Sequence, residues 1–104
     1  NMKKIIKRKM YNTETANYVT KAESKLPVTD FGYWEEILYR KVKSCEYFLY
    51  GHGGPTSKYA EFGSNGNTTG GEDIIPLTED QALNWAERHI SAEEYCEIFG
   101  EPEE

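Results

Sequence analysis

Few side chains in this sequence have both the type and the spacing that chemistry requires. Its only histidines are His52 and His89, and its only cysteines are Cys45 and Cys96. Zinc takes about four Cys, His or carboxylate ligands, usually supplied in closely spaced pairs. No such pair exists here, so no metal site is expected. A nucleophilic cysteine needs an activating base beside it, and neither thiol has an evident one. Cys96, next to Tyr95, reads as a small hydrophobe, whereas Cys45 falls at an expected turn. Glu35-Glu36 looks like a carboxylate pair, but adjacent strand residues point to opposite faces, so the two cannot flank one substrate. No catalytic residue and no cofactor is expected, and the chain reads as a non-enzyme.

Glycines crowd the stretch 51–71, from Gly51-His52-Gly53-Gly54 to Gly70-Gly71. A phosphate-binding loop places GxxxxGK[ST] or GxGxxG between a strand and a helix. Here no Lys-Ser or Lys-Thr follows the glycines at that spacing, and a strand comes next. Residues 51–72 therefore read as a connection whose glycines permit positive φ. Tyr59, Ala60 and Phe62 are expected to anchor it.

Charge is the strongest remaining signal. Residues 1–58 hold eleven of the twelve Lys/Arg and six acids; residues 59–104 hold twelve acids against Arg88 alone. Glu79, Asp80, Glu87, Glu93, Glu94, Glu97 and Glu101 could form a protein-binding surface that imitates a phosphate backbone and enters a basic groove. Lys3, Lys4, Lys7, Arg8 and Lys9 could instead contact phosphates. The chain as a whole is acidic, however, with a pI of about 5.0, whereas nucleic-acid-binding domains are commonly basic. The simplest use of the asymmetry is internal: an acidic helical tail folded back on a basic sheet.

These residues need elements to hold them. Lys3–Tyr11 reads as a first strand and Ala16–Lys25 as a second. Tyr33–Lys43 is the best strand, with Trp34, Leu38 and Val42 on one parity. Cys45–Tyr50 follows closely enough for an antiparallel hairpin, and Asp73–Leu77 adds a short strand. Thr78-Glu79-Asp80-Gln81 and Ser91-Ala92-Glu93-Glu94 are capping boxes that open helices over about 79–90 and 92–99. Gly100 is placed to end the second. His89 reads as a half-buried histidine near the end of the first.

The expected fold is a single α+β domain over 1–104: an antiparallel sheet of three to five strands, with the C-terminal helices packed on it. Leu83, Trp85, Ala86 and Ile90 should face the sheet, and Tyr95, Ile98 and Phe99 should close one end. With aromatics at 13% and eight tyrosines, the core should be rich in rings. No stretch approaches the ~20 apolar residues of a membrane span. Lys7-Arg8-Lys9 interrupts any leader-like segment after Met2. Both observations point to a cytoplasmic protein with reduced thiols, one whose exposed strand edge would permit a homodimer.

Several blocks also carry a resemblance. Met10-Tyr11-Asn12-Thr13-Glu14-Thr15-Ala16, Glu36-Ile37-Leu38-Tyr39-Arg40 and Tyr47-Phe48-Leu49-Tyr50-Gly51-His52-Gly53-Gly54-Pro55 come first. Ile75-Pro76-Leu77-Thr78-Glu79, Trp85-Ala86-Glu87 and Ile98-Phe99-Gly100 follow in order. Together they resemble a family of small, mostly uncharacterised proteins of Gram-positive bacteria, often carried on phages, plasmids and integrative elements. The resemblance implies a protein-binding accessory factor of a mobile element. Some such factors inhibit host defence systems, CRISPR effectors among them. It implies no catalytic motif.

Overall fold

A computed structural model describes residues 2–103. The chain runs β1 (Lys3–Ile6), β2 (Lys9–Asn12), β3 (Asn17–Glu23), β4 (Trp34–Arg40), β5 (Tyr47–Gly53), β6 (Glu61–Phe62), β7 (Thr68–Thr69), β8 (Gly71–Leu77), α1 (Glu79–His89) and α2 (Ala92–Phe99). Strands β3-β4-β5-β8 form one antiparallel sheet in that order, and β1-β2 and β6-β7 are separate hairpins. The α+β architecture expected from the sequence is present.

Alternation along β5 divides the core into two. Tyr47 and Leu49 face the helices, where Leu38, Ala82, Trp85 and Ala86 are buried with them. Phe48 points the other way, into a cluster with Tyr11 and Ile74 under the β1-β2 hairpin. Its ring stacks on Tyr39 at 5.4 Å and meets the edge of Tyr11 at 5.5 Å. Period-two alternation in a sheet covered on both sides produces this division.

Four details depart from the sequence reading. The first strand is a hairpin: Lys7 and Arg8 both take positive φ, 50° and 69°, as a two-residue turn between twisted strands requires. Neither residue type announces that turn. Strand β4 ends at Arg40, so Val42 lies in the following turn and is exposed. The expected connection 51–72 is shorter, because β5 continues through Gly53 and β8 begins at Gly71. Within it Tyr59 is buried but Phe62 is 85% exposed, so Phe62 anchors nothing.

The helix faces are also adjusted. Ala82, Trp85 and Ala86 are the buried face of α1, and Leu83 is only half-buried beside it. Ile90, Tyr95 and Phe99 pack against the core as expected. Thr78 and Gln81 form the complete capping box of α1. At α2 only half of the box forms: Ser91 Oγ accepts from the Glu94 amide at 3.1 Å. The Glu94 carboxylate turns instead to the sheet. Gly100, at φ 88°, ends α2.

Candidate protein-binding face

The basic hairpin and the acidic helices come to opposite faces of the sheet. The basic β1-β2 hairpin covers the Phe48 side, and the acidic helices cover the Leu49 side. The tail therefore folds onto the sheet, but on the face away from the β1-β2 hairpin, with Lys58 and Arg88 on its own side. The hairpin finds its own acids: Lys4 pairs with Asp73 and Lys9 with Glu46 Oε2 at 2.7 Å. Lys9 and Lys41 hold the Glu46 carboxyl down, to about 2. Lys3, Lys7 and Arg8 are exposed and make no ion pair among the described residues.

The six helical acids are all exposed. Glu79 and Asp80 occupy the first turn of α1, and Glu93 and Glu94 the first turn of α2. There each offsets the partial positive charge of a helix N-terminus. Glu94 does more: its Oε2 accepts the Thr20 hydroxyl at 2.5 Å, tying α2 to β3. Glu87 lies near the end of α1, about 12 Å of helix rise beyond Glu79. It lines a shallow groove with Ile90, Tyr95, Cys96 and Pro102. Glu87, Glu93, Glu94 and Glu97 thus belong to the α1-α2 corner, and Glu79 and Asp80 to the far end of α1. None of these six forms an ion pair among the described residues.

The most elaborate polar cluster escaped the sequence reading. Glu36 is fully buried on the helix face of β4. Its Oε1 accepts from Trp85 Nε1 at 2.9 Å, and its Oε2 accepts from the Tyr59 hydroxyl at 2.5 Å and pairs with Lys58. Burial pushes the Glu36 carboxyl up, but donation from Lys58, Tyr59 and Trp85 outweighs it and holds the group below the usual carboxylate range. Burial and the neighbouring carboxylate push Tyr59 far above the usual tyrosine range. A glutamate sharing the parity of Trp34 and Leu38 was the available signal. The cluster joins sheet, helix and connecting loop.

Glu35 lies on the opposite face, as strand alternation requires. It accepts from or pairs with His52 Nε2 at 2.9 Å and with Lys21 at 3.5 Å. Tyr33 and Tyr50 flank His52, and the Tyr50 hydroxyl donates to Glu72 at 2.7 Å. His89 is exposed rather than half-buried; its Nδ1 lies 2.8 Å from the Trp85 carbonyl, and its ring lies 5.8 Å from Trp34 and 5.1 Å from Trp85. Cys45 is exposed, and Cys96 is intermediate rather than buried. Among the described residues no group of three or more His, Cys, Asp or Glu could hold a metal ion. None of their helices is long and apolar enough to cross a membrane.

No protein-family model, curated protein or solved structure matches the chain.

Proposed function

We propose that this protein is a non-enzymatic, protein-binding accessory factor that presents the acidic α1-α2 corner to a basic partner. One observation carries the reading. The helical acids face solvent without an ion pair among the described residues, the hairpin cations lie on the other side of the sheet, and Lys58 and Arg88 stand near the helices, so the acids' field is only partly offset internally. A face dominated by one sign steers an oppositely charged partner and suppresses wrong ones. Together with the resemblance to mobile-element proteins, this suggests a nucleic-acid-handling host protein, such as a CRISPR effector, whose basic groove the acids would occupy.

The test is an interference assay with purified RNA-guided nucleases, comparing the natural chain with Glu87→Lys/Glu93→Lys/Glu97→Lys. Inhibition lost in the triple variant supports the reading. Equal inhibition by both removes the acidic corner from it. A nucleic-acid module using Lys3, Lys7 and Arg8 is the alternative. It predicts salt-dependent DNA or RNA shifts that the triple variant leaves intact. Lys4 and Lys9 contribute less to such a patch, because both are held by acids.

A further inference from the structure

The sheet has two edges, and they are treated differently. In an antiparallel sheet, backbone groups point alternately toward one neighbour and away from it. The Lys41 amide donates to the Glu46 carbonyl and the Gly54 amide to the Tyr33 carbonyl, so Tyr47, Leu49, Gly51 and Gly53 turn toward β8. They meet Leu77, Ile75, Asp73 and Gly71, which leaves Glu72, Ile74 and Pro76 outward at the β8 edge. Pro76 has no N–H to offer. The Ile74 N–H is taken by Asp73 Oδ1 at 2.8 Å, and Lys4 clasps that same carboxylate. These are the devices that stop a sheet edge from recruiting another strand.

The β3 edge is guarded less: it has a bulge between Tyr18 and Thr20 and the Lys21 side chain, but no proline. The Ser24 amide donates to the Trp34 carbonyl at 3.0 Å, in register with the β3-β4 ladder. Alternation from that bond turns Ala22 and Thr20 toward β4, and turns the backbone N–H and C=O of Lys21 and Glu23 outward. No strand lies beyond β3 among the described residues. The Thr20–Glu94 hydrogen bond sets the first turn of α2, with the exposed Glu93 and Glu94, over this strand, and the exposed Glu97 follows one helical turn on.

We infer that β3 is a docking edge for an extended, cationic segment of a partner protein, added as a fifth strand beside Lys21 and Glu23. Main-chain hydrogen bonds supply the affinity in such strand addition, and alternate side chains supply the specificity. Residues of the incoming strand that face the helices meet the acids of α2, which favours Lys or Arg there. Those facing the other way meet Lys21, Glu23 and Tyr18, whose ring is 58% exposed and packs edge-on to Tyr39, so uncharged residues suit that side. A second copy of this chain is the poorer occupant, because two-fold pairing along β3 would bring two acidic α2 helices together. This inference names the chemistry of the partner, and so rests on the protein-binding reading above.

The test uses a ten-residue peptide of alternating lysine and valine, with a glutamate–valine peptide as control. Hydrogen exchange of the full chain is followed with and without peptide, alongside Lys21→Pro. Proline at 21 removes an outward donor and, with the lysine side chain, its pairing with Glu35, and it makes the protein more negative. A merely electrostatic attraction would therefore strengthen in that variant, whereas strand addition should weaken at least about tenfold. Glu93→Lys/Glu97→Lys, which keeps the edge, should also weaken binding. Protection of the Lys21 and Glu23 amides by the cationic peptide alone supports the inference. Binding without that protection, no binding, or protection by self-association overturns it. If Lys21→Pro unfolds, protection in the natural chain and the charge-reversal variant still decide. A basic partner held equally by Lys21→Pro and the natural chain would sink this inference and leave the protein-binding reading standing.

Discussion

Tyr59 occupies the space that a side chain at Gly51 would need: a Cβ there would lie 1.9 Å from Tyr59 Cζ. Gly51 pairs with Glu36 across β4 and β5. The missing side chain lets the Tyr59 ring lie over β5 and its hydroxyl reach the buried Glu36 carboxylate. One glycine thereby holds the connecting loop against the sheet. Gly51→Ala should cost about 1–3 kcal/mol through overpacking. Tyr59→Ala should absorb most of that penalty, because the clash disappears with the ring. Additive destabilisation in the double variant, measured by denaturant unfolding, would contradict this account.

Trp85 joins the helix layer to the sheet twice, by its buried ring and by its Nε1 bond to Glu36. Trp85→Ala should lose about 3–5 kcal/mol or prevent folding. Trp85→Phe keeps much of the ring but strips a donor from a buried carboxylate, and should lose about 1–3 kcal/mol. A melting shift of only a degree or two for Trp85→Ala would remove this residue from the core.

The Glu36 cluster also sets a pH dependence. Its carboxyl is held below the usual carboxylate range in the folded chain, so the unfolded state binds the proton more readily. Its contribution is fully present above the unfolded carboxylate pKa and is lost as pH falls through the folded value. Tyr59 behaves in the opposite sense. Its folded pKa is raised, so its contribution is present below the unfolded tyrosine pKa, about 10, and declines as pH rises beyond it. Tyr50, pushed up to about 12 by burial and Glu72, adds to that alkaline loss. Urea unfolding at acid and alkaline pH should show both declines in the natural chain. Glu36→Gln should flatten the acid one; an unchanged acid profile in that variant would rule the cluster out.

Thr20 and Glu94 link β3 to α2 across 74 residues of sequence. Thr20→Val keeps the shape and removes the hydroxyl. It should cost about 1 kcal/mol and speed exchange of the α2 amides more than those of β5. Equal changes throughout the chain would mean that α2 is docked by its apolar face alone.

The sequence by itself determined the fold class, the two helices with their caps, and the β4-β5 hairpin. These follow from local causes: helical spacing around Trp85, Thr78 and Ser91 at the helix starts, and alternating side chains with a short turn. Tertiary structure alone decided the rest. The Lys7-Arg8 turn carries no turn residues, and it forms because Ile6 and Tyr11 gain burial on the far side of the sheet. Glycines 51 and 53 read as loop, yet they are strand, because Tyr59 and Ser57 fill the places of their missing side chains. The partner of Glu36 was equally hidden, since Tyr59 lies 23 residues away and Trp85 lies 49. Nor could a one-dimensional pattern assign the basic hairpin and the acidic helices to opposite faces. That separation depends on which neighbour each side of β5 acquires when the hairpin and the helices fold onto it.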